Sequence, residues 1–171
     1  MRALFKGHEN GVNGIAFSPD GRSLVSASDD HSARIWNIRD GSSKKLPAVK
    51  AGCILSIALS PDGRYIAAGD TKKSLWIWNS RTLKLMANWK GHRGSVWCLG
   101  FTPDGKGLLS GSKDATIQCW DVSSLEIYGA VSGGETVDSG HPFPLIQSLS
   151  GHTVRFFVIL LACGLLSHSY L

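Results

Sequence analysis

No apolar run in this sequence approaches the roughly 20 residues a helix needs to cross a bilayer. The most apolar stretch, Phe156 to Leu166, has eleven residues without a charge. The first residues, MRALFKGH, lack the apolar core of a leader peptide, so no secretory signal is expected. Cysteine is sparse: Cys53, Cys98, Cys119 and Cys163 form no C-x-x-C pair and no zinc spacing, so no metal is expected. Cys98 and Cys119 fall inside apolar runs, as small buried side chains do. That favours a reducing compartment, hence an intracellular protein, in cytoplasm or nucleus. Charge is low as well, at 18% of residues, with 18 basic against 13 acidic side chains and a net charge of +5. The basic residues are scattered over turns and run ends, and the longest clusters are Lys44-Lys45 and Lys72-Lys73. Scattered cations of this kind read as solvated edges, so neither nucleic acid nor membrane is an expected partner.

What the chain does have is 43% hydrophobic residues and 20 glycines, enough for a packed core that turns every few residues. It also repeats itself. Trp36, Trp78 and Trp120 stand 42 residues apart, and Pro19, Pro61 and Pro103 keep the same spacing. The stretch from Gly91 to Val122 is the fullest copy. It opens on Gly91-His92 and closes on Trp120-Asp121, with three short apolar runs between. Pro103-Asp104-Gly105 and Lys113-Asp114 punctuate those runs, so the pattern predicts an antiparallel meander of three strands joined by tight turns. Proline presets the first turn corner and Gly105 supplies the positive φ.

A 42-residue period with Gly-His at its start and Trp-Asp near its end resembles the WD-repeat family of β-propellers. The resemblance implies an all-β fold: an incomplete, open propeller of about three four-stranded antiparallel blades plus a partial fourth. Residues 1–122 hold three repeats (7–38, 49–80 and 91–122), 123–148 read as a Gly/Ser/Pro-rich loop insertion, and 149–171 as a truncated fourth repeat with an apolar tail. In the family the strand before Gly-His, here Arg2 to Lys6, is the outer strand of the preceding blade. Repeat two has drifted: Val49-Lys50 stand where Gly-His belongs, and Lys72 replaces the turn aspartate represented by Asp30 and Asp114. After Gly151-His152 the sequence FFVILLACGLLSHSYL abandons the pattern. A buried strand and a tail anchor are two readings of it. Departure of the reading frame from family sequence is the favoured third.

The resemblance also implies a structural tetrad in a blade, in which the opening His, a Ser, the turn Asp and the Trp are hydrogen-bonded. Repeat one offers His8, Ser26, Asp30 and Trp36, and repeat three offers His92, Ser110, Asp114 and Trp120. Ser28 and Ser112 compete for the serine role. A carboxylate that accepts from imidazole fixes its tautomer, and the buried indole N–H gains a partner. A catalytic triad would occur once, in a cleft with an oxyanion hole. This set occurs twice at one period, so it reads as structure: no enzyme, no cofactor and no small-molecule substrate is expected. Without His or turn Asp, blade two should be the least well stapled.

Members of the family bind other proteins on the face where the first strand starts and the residue before the turn Asp projects. By register these positions are Gly11 and Asn13, Cys53 and Leu55, and Ser95 and Trp97, with Asp29, Thr71 and Lys113 before the turn. Asn13, Asp29, Leu55, Trp97 and Lys113 are the candidate binding residues. Trp97 is the expected anchor if it is exposed; the other reading packs it against a neighbouring blade. Trp36-Asn37-Ile38-Arg39 and Trp78-Asn79-Ser80-Arg81 also look like the W-D-x-R of WD-repeat substrate receptors of cullin ubiquitin ligases, with Asn for Asp. Repeat one is similar in phrasing to fungal Tup-type transcriptional corepressors. The favoured function is a non-catalytic protein-interaction scaffold. Three repeats cannot close a ring, so open blade edges are expected to favour self-association.

Overall fold

Pro-Asp-Gly turns and apolar runs become hairpins throughout the computed structural model, which describes residues 4–47, 51–125 and 144–150. Three antiparallel four-stranded sheets follow one another in the chain. The first comprises β1 (Val12–Phe17), β2 (Ser23–Ser28), β3 (Ala33–Asn37) and β4 (Ser43–Lys45). The second comprises β5 (Ile54–Leu59), β6 (Tyr65–Asp70), β7 (Ser74–Asn79) and β8 (Leu85–Lys90). The third comprises β9 (Val96–Phe101), β10 (Gly107–Ser112), β11 (Thr116–Asp121) and β12 (Leu145–Ser150). Each is a propeller blade, so the fold is the open propeller that the family resemblance implies.

The turns explain the punctuation. Gly21, Gly63 and Gly105 have φ of 67°, 71° and 71°, the left-handed region where glycine has no Cβ to clash. Beside them Asp20, Asp62 and Asp104 each accept from a backbone N–H two residues on, at 2.9–3.0 Å. Each also accepts from the hydroxyl two residues before it. One asparagine-like cap thus closes the first hairpin of every blade.

The core lies between blades. Val25, Ala27, Ala33, Ile54, Ile57, Ile66, Trp76 and Trp78 form the cluster joining blades one and two. Tyr65, Leu75, Ile77, Trp89, Val96, Leu99, Phe101, Leu108 and Trp120 form the one joining blades two and three. Blade two, covered on both faces, buries every residue of β6. Blade one keeps one face open: Ile15 is 59% and Phe17 62% exposed, whereas Leu99 and Phe101, at the same repeat positions, are 6% and 7%.

Two strand assignments from the sequence need correction. Leu145 to Ser150 is the outer strand of blade three, paired with β11 from Thr116↔Ser150 to Trp120↔Leu145, whereas the sequence pattern places its residues in the loop insertion and the fourth repeat. The strand before a Gly-His completes the preceding sheet, and the glycine-rich composition upstream masked it. Conversely Leu4 to Lys6 carry no strand, for no preceding blade is present among the described residues to pair with them. Arg2, Val49-Lys50, residues 126–143, Gly151-His152 and the tail with Cys163 lie outside the described residues.

Candidate functional site

The first two strands of every blade pair with a bulge at one place. Registers jump from Val12 to Gly14, from Ile54 to Ser56 and from Val96 to Cys98. The residues left out of the ladder are Asn13, Leu55 and Trp97, three of the candidate binding residues. A bulge bends its strand and re-aims the extra side chain, a device common next to functional sites. Asp29, Thr71 and Lys113 reach the same end. Their N–H groups donate to the carbonyls of Gly11, Cys53 and Ser95 at 2.9, 3.0 and 2.9 Å. So the structure gathers the candidates at one end of three adjacent blades.

Their surroundings differ. Asn13 donates to Asp29 Oδ1 at 2.7 Å and to the Ile54 carbonyl of the next blade at 2.9 Å. That pair is tied down and bridges blades one and two. Leu55 is half-buried and Lys113 exposed. Trp97 is 40% exposed, while Trp36, Trp76, Trp78, Trp89 and Trp120 are at most 3% exposed.

The tetrad candidates meet in both outer blades. In blade one Trp36 Nε1–H donates to Ser26 Oγ at 2.7 Å, and Ser26 Oγ lies 2.6 Å from His8 Nε2. His8 Nδ1 lies 2.7 Å from Asp30 Oδ2. In blade three Trp120, Ser110, His92 and Asp114 repeat the chain at 2.9, 2.8 and 3.0 Å. A carboxylate only accepts, so Nδ1–H donates to it, and Nε2 of the neutral His92 ring accepts from the Ser110 hydroxyl, which in turn accepts the indole N–H. The geometry places Ser26 and Ser110 in the chain. Ser28 and Ser112 instead accept from the Asp30 and Asp114 amides, at 3.1 Å each. Gly91 is glycine for a reason: a Cβ there would sit 2.6 Å from the Trp120 ring.

Electrostatics fits a staple. Burial disfavours ionisation of Asp30, but bonds from Ser32, His8 and the Glu9 amide outweigh it and hold the carboxyl far below the usual range. Asp114 sits at about 2: burial again opposes, and Thr116 and the Arg93 amide prevail. Burial pushes the His92 imidazole below its ordinary value against the pull of Asp114, which keeps it neutral near pH 7. A neutral imidazole buried under the sheet end, hydrogen-bonded at both nitrogens, has no free lone pair for a substrate. Among the described residues no group of three His, Cys, Asp or Glu side chains could hold a metal ion.

Blade two departs from the sequence-based expectation of a weak staple. Asp70, 0% exposed, ends β6 at the repeat position of Ser28 and Ser112. Its carboxyl accepts from Trp76 Nε1 at 3.0 Å, from the Gly52 amide at 3.1 Å and from the Ser74 amide at 2.8 Å. Trp76 stacks on Trp78 with 6.0 Å between centroids and planes 5° apart, and Trp78 Nε1 donates to the Pro47 carbonyl at 2.6 Å. One carboxylate thus replaces both His and turn Asp. Its sequence signal was an acid closing a strand just before Trp76-x-Trp78, hidden because the family tetrad offers no such position.

Comparison with known proteins agrees with this architecture. The model of the WD domain, G-beta repeat matches residues 2–37, 43–79 and 83–121. The chain is 56% identical over 39 residues to ribosome assembly protein 4 of Saccharomyces cerevisiae, covering 23% of this chain and 8% of that protein. It is 49% identical over 39 residues to Lissencephaly-1 homolog 1 of Paramecium tetraurelia, covering 23% and 10%. The chain therefore matches a tenth or less of the length of these relatives. Among solved structures, the RRP9 WD40 repeats superpose with TM-score 0.70 at 24% identity, over 89% of this chain and 42% of that one. The structure of U3-55K gives 0.69 at 25%, over 89% and 43%. With three blades, two His–Asp staples and the repeat model covering more than half its length, the chain belongs to the WD domain, G-beta repeat family.

Proposed function

We propose that this chain is a non-catalytic, intracellular protein-interaction scaffold whose partner docks on the bulged end of the blades, with Trp97 as the anchor. The supporting observation is the placement of Trp97: the bulge excludes it from the ladder and leaves it 40% exposed while its fellow tryptophans are buried. A large amphipathic ring held on a rigid sheet is the usual centre of a binding hot spot. Lys113 and Asp29 flank that row with opposite charges. Affinity capture from cells with wild type beside Trp97→Ala tests this. A partner held by wild type and lost from the variant, at unchanged melting temperature, supports it; identical partner sets refute it.

A second reading rests on the open face of blade one. Ile15 and Phe17 present there what Ile57, Leu99 and Phe101 bury against the preceding blade. The trailing face of blade three, with Leu109, Ile117 and Cys119 half-buried, offers the complementary surface. Two copies joined head to tail would continue the inter-blade packing. Light scattering after size exclusion should then show a multimer that Phe17→Asp dissolves, and a wild-type monomer at micromolar concentration would refute this second reading.

A further inference from the structure

At the end of the blades opposite Trp97, the packing between blades one and two is incomplete. A cleft of about 340 Å³ opens there, lined by Ser23, Ile35 and Lys44 of blade one and Ser80, Arg81 and Leu83 of blade two. The next junction shows what the repeat normally places there. Counted 42 residues on, Ser23, Lys44, Ser80 and Leu83 become Tyr65, Met86, Val122 and Leu125. Tyr65, Val122 and Leu125 join the core between blades two and three, at 8%, 2% and 2% exposed, and the half-buried Met86 packs against it. Protein interiors fill such space, because an empty crevice forfeits dispersion contacts on both walls. At the first junction the filling has been replaced by hydroxyls and cations.

The chemistry of the walls is specific. Ile35 and Leu83 are half-buried and apolar. Lys44 and Arg81 are exposed at the rim, and no carboxylate lines the cleft. Asp40, on the turn beside the lining residues Asn37 and Ser42, accepts from the Asn37 side-chain amide and from the backbone amide and hydroxyl of Ser42. Neither cation has a side-chain partner among the described residues. The three-residue strand β4 forms the outer edge of its sheet, so an extended chain arriving there meets backbone as well as side chains. The volume lies in the range of small-ligand sites.

We propose that this cleft binds a short acidic peptide segment of a partner, with an aliphatic side chain against Ile35 and Leu83 and flanking carboxylates on Lys44 and Arg81. The Arg81 guanidinium matches a carboxylate bidentately, and Ser23 adds a hydroxyl to the lining of the same cleft. This site is independent of the Trp97 reading, since it lies at the other end of the blades.

Fluorescence anisotropy with the full chain and a labelled peptide of alternating Glu and Leu tests it, beside Ser–Leu and Lys–Leu peptides of equal length. The Glu–Leu peptide should bind at least about tenfold more tightly than either. Arg81→Glu should weaken it about tenfold or more, and Lys106→Glu, an equal change of charge on a distant turn, should leave it nearly unaltered. Ser23→Tyr installs the side chain that fills the sister junction and changes no charge. It should abolish binding while the melting temperature holds or rises. Binding that survives Ser23→Tyr, or falls equally with Lys106→Glu, would reduce the effect to the net positive charge of the chain and overturn the proposal. Equal affinity for the Glu–Leu and Ser–Leu peptides would overturn it too.

Discussion

The middle blade and its two neighbours meet the same packing problem with different residues. Blades one and three staple their ends with a Trp–Ser–His–Asp chain, whereas blade two uses one buried carboxylate beneath a stacked tryptophan pair. Blade two also has neighbours on both faces, while blade one leaves Ile15 and Phe17 in solvent. The constraint common to all three is an acceptor for a buried indole N–H together with cover for the apolar face. Residue identity can drift where both requirements are still met.

The largest expected contrast is between two phenylalanines at one repeat position. Phe101→Ala should cost about 3–5 kcal/mol in urea unfolding, the usual penalty for a buried phenylalanine. Phe17→Ala should cost less than about 0.5 kcal/mol in the monomer, as exposed substitutions do. Equal losses would mean that the first blade's face is covered in solution. Next comes the middle staple. Asp70→Ala strands the Gly52 and Ser74 amides and the Trp76 indole, a loss of about 3 kcal/mol or more. Asp70→Ser, the residue at its counterparts, should recover only part of that, because the shorter side chain cannot reach all three donors.

His92→Ala should cost about 2 kcal/mol by leaving Ser110 and Asp114 short of a partner. The same staple predicts a pH dependence. Asp114 titrates near 2 in the fold against an ordinary 3.8, so its contribution is complete above 3.8 and is lost as pH falls toward 2. The His92 pKa is lowered from 6.5, so the fold prefers the neutral ring; that contribution is complete above 6.5 and declines as pH drops below it. Both shifts act in one direction, and melting temperature should fall steadily from pH 7 to pH 3. The pair His92→Gln and Asp114→Asn should flatten that profile; an unchanged slope would remove the staple from the explanation. The smallest effect concerns the turn between the second and third strands, where His31, Lys73 and Ala115 have φ of 63°, 74° and 66°. Ala115→Gly relieves a left-handed alanine and should raise stability by up to about 1 kcal/mol, readable by differential scanning calorimetry.

Much of this molecule could be read from its sequence, but unevenly. The Pro-Asp-Gly turns were legible because a positive φ and a preset proline admit few residues. The residues of the outer staples were legible through the resemblance to the WD-repeat family, whose opening His, Ser, turn Asp and Trp they match. Trp76 and Asp70 were not, since their roles come from a neighbouring amide and a stacked ring rather than from any local rule. Strand β12 was obscured because its pairing partner β11 lies across a long intervening segment.

The sequence by itself determined the repeat, the turn chemistry and which side chains alternate along each strand, because these depend on local backbone sterics and a period of two. Only the tertiary structure decided which serine joins each staple, that the bulge falls on Trp97, and that one junction is filled while the other gapes. Those outcomes depend on how neighbouring sheets approach each other, and such distances are set by packing between residues tens of positions apart, as Gly69 packs against Val96 and Asn13 bonds to Ile54.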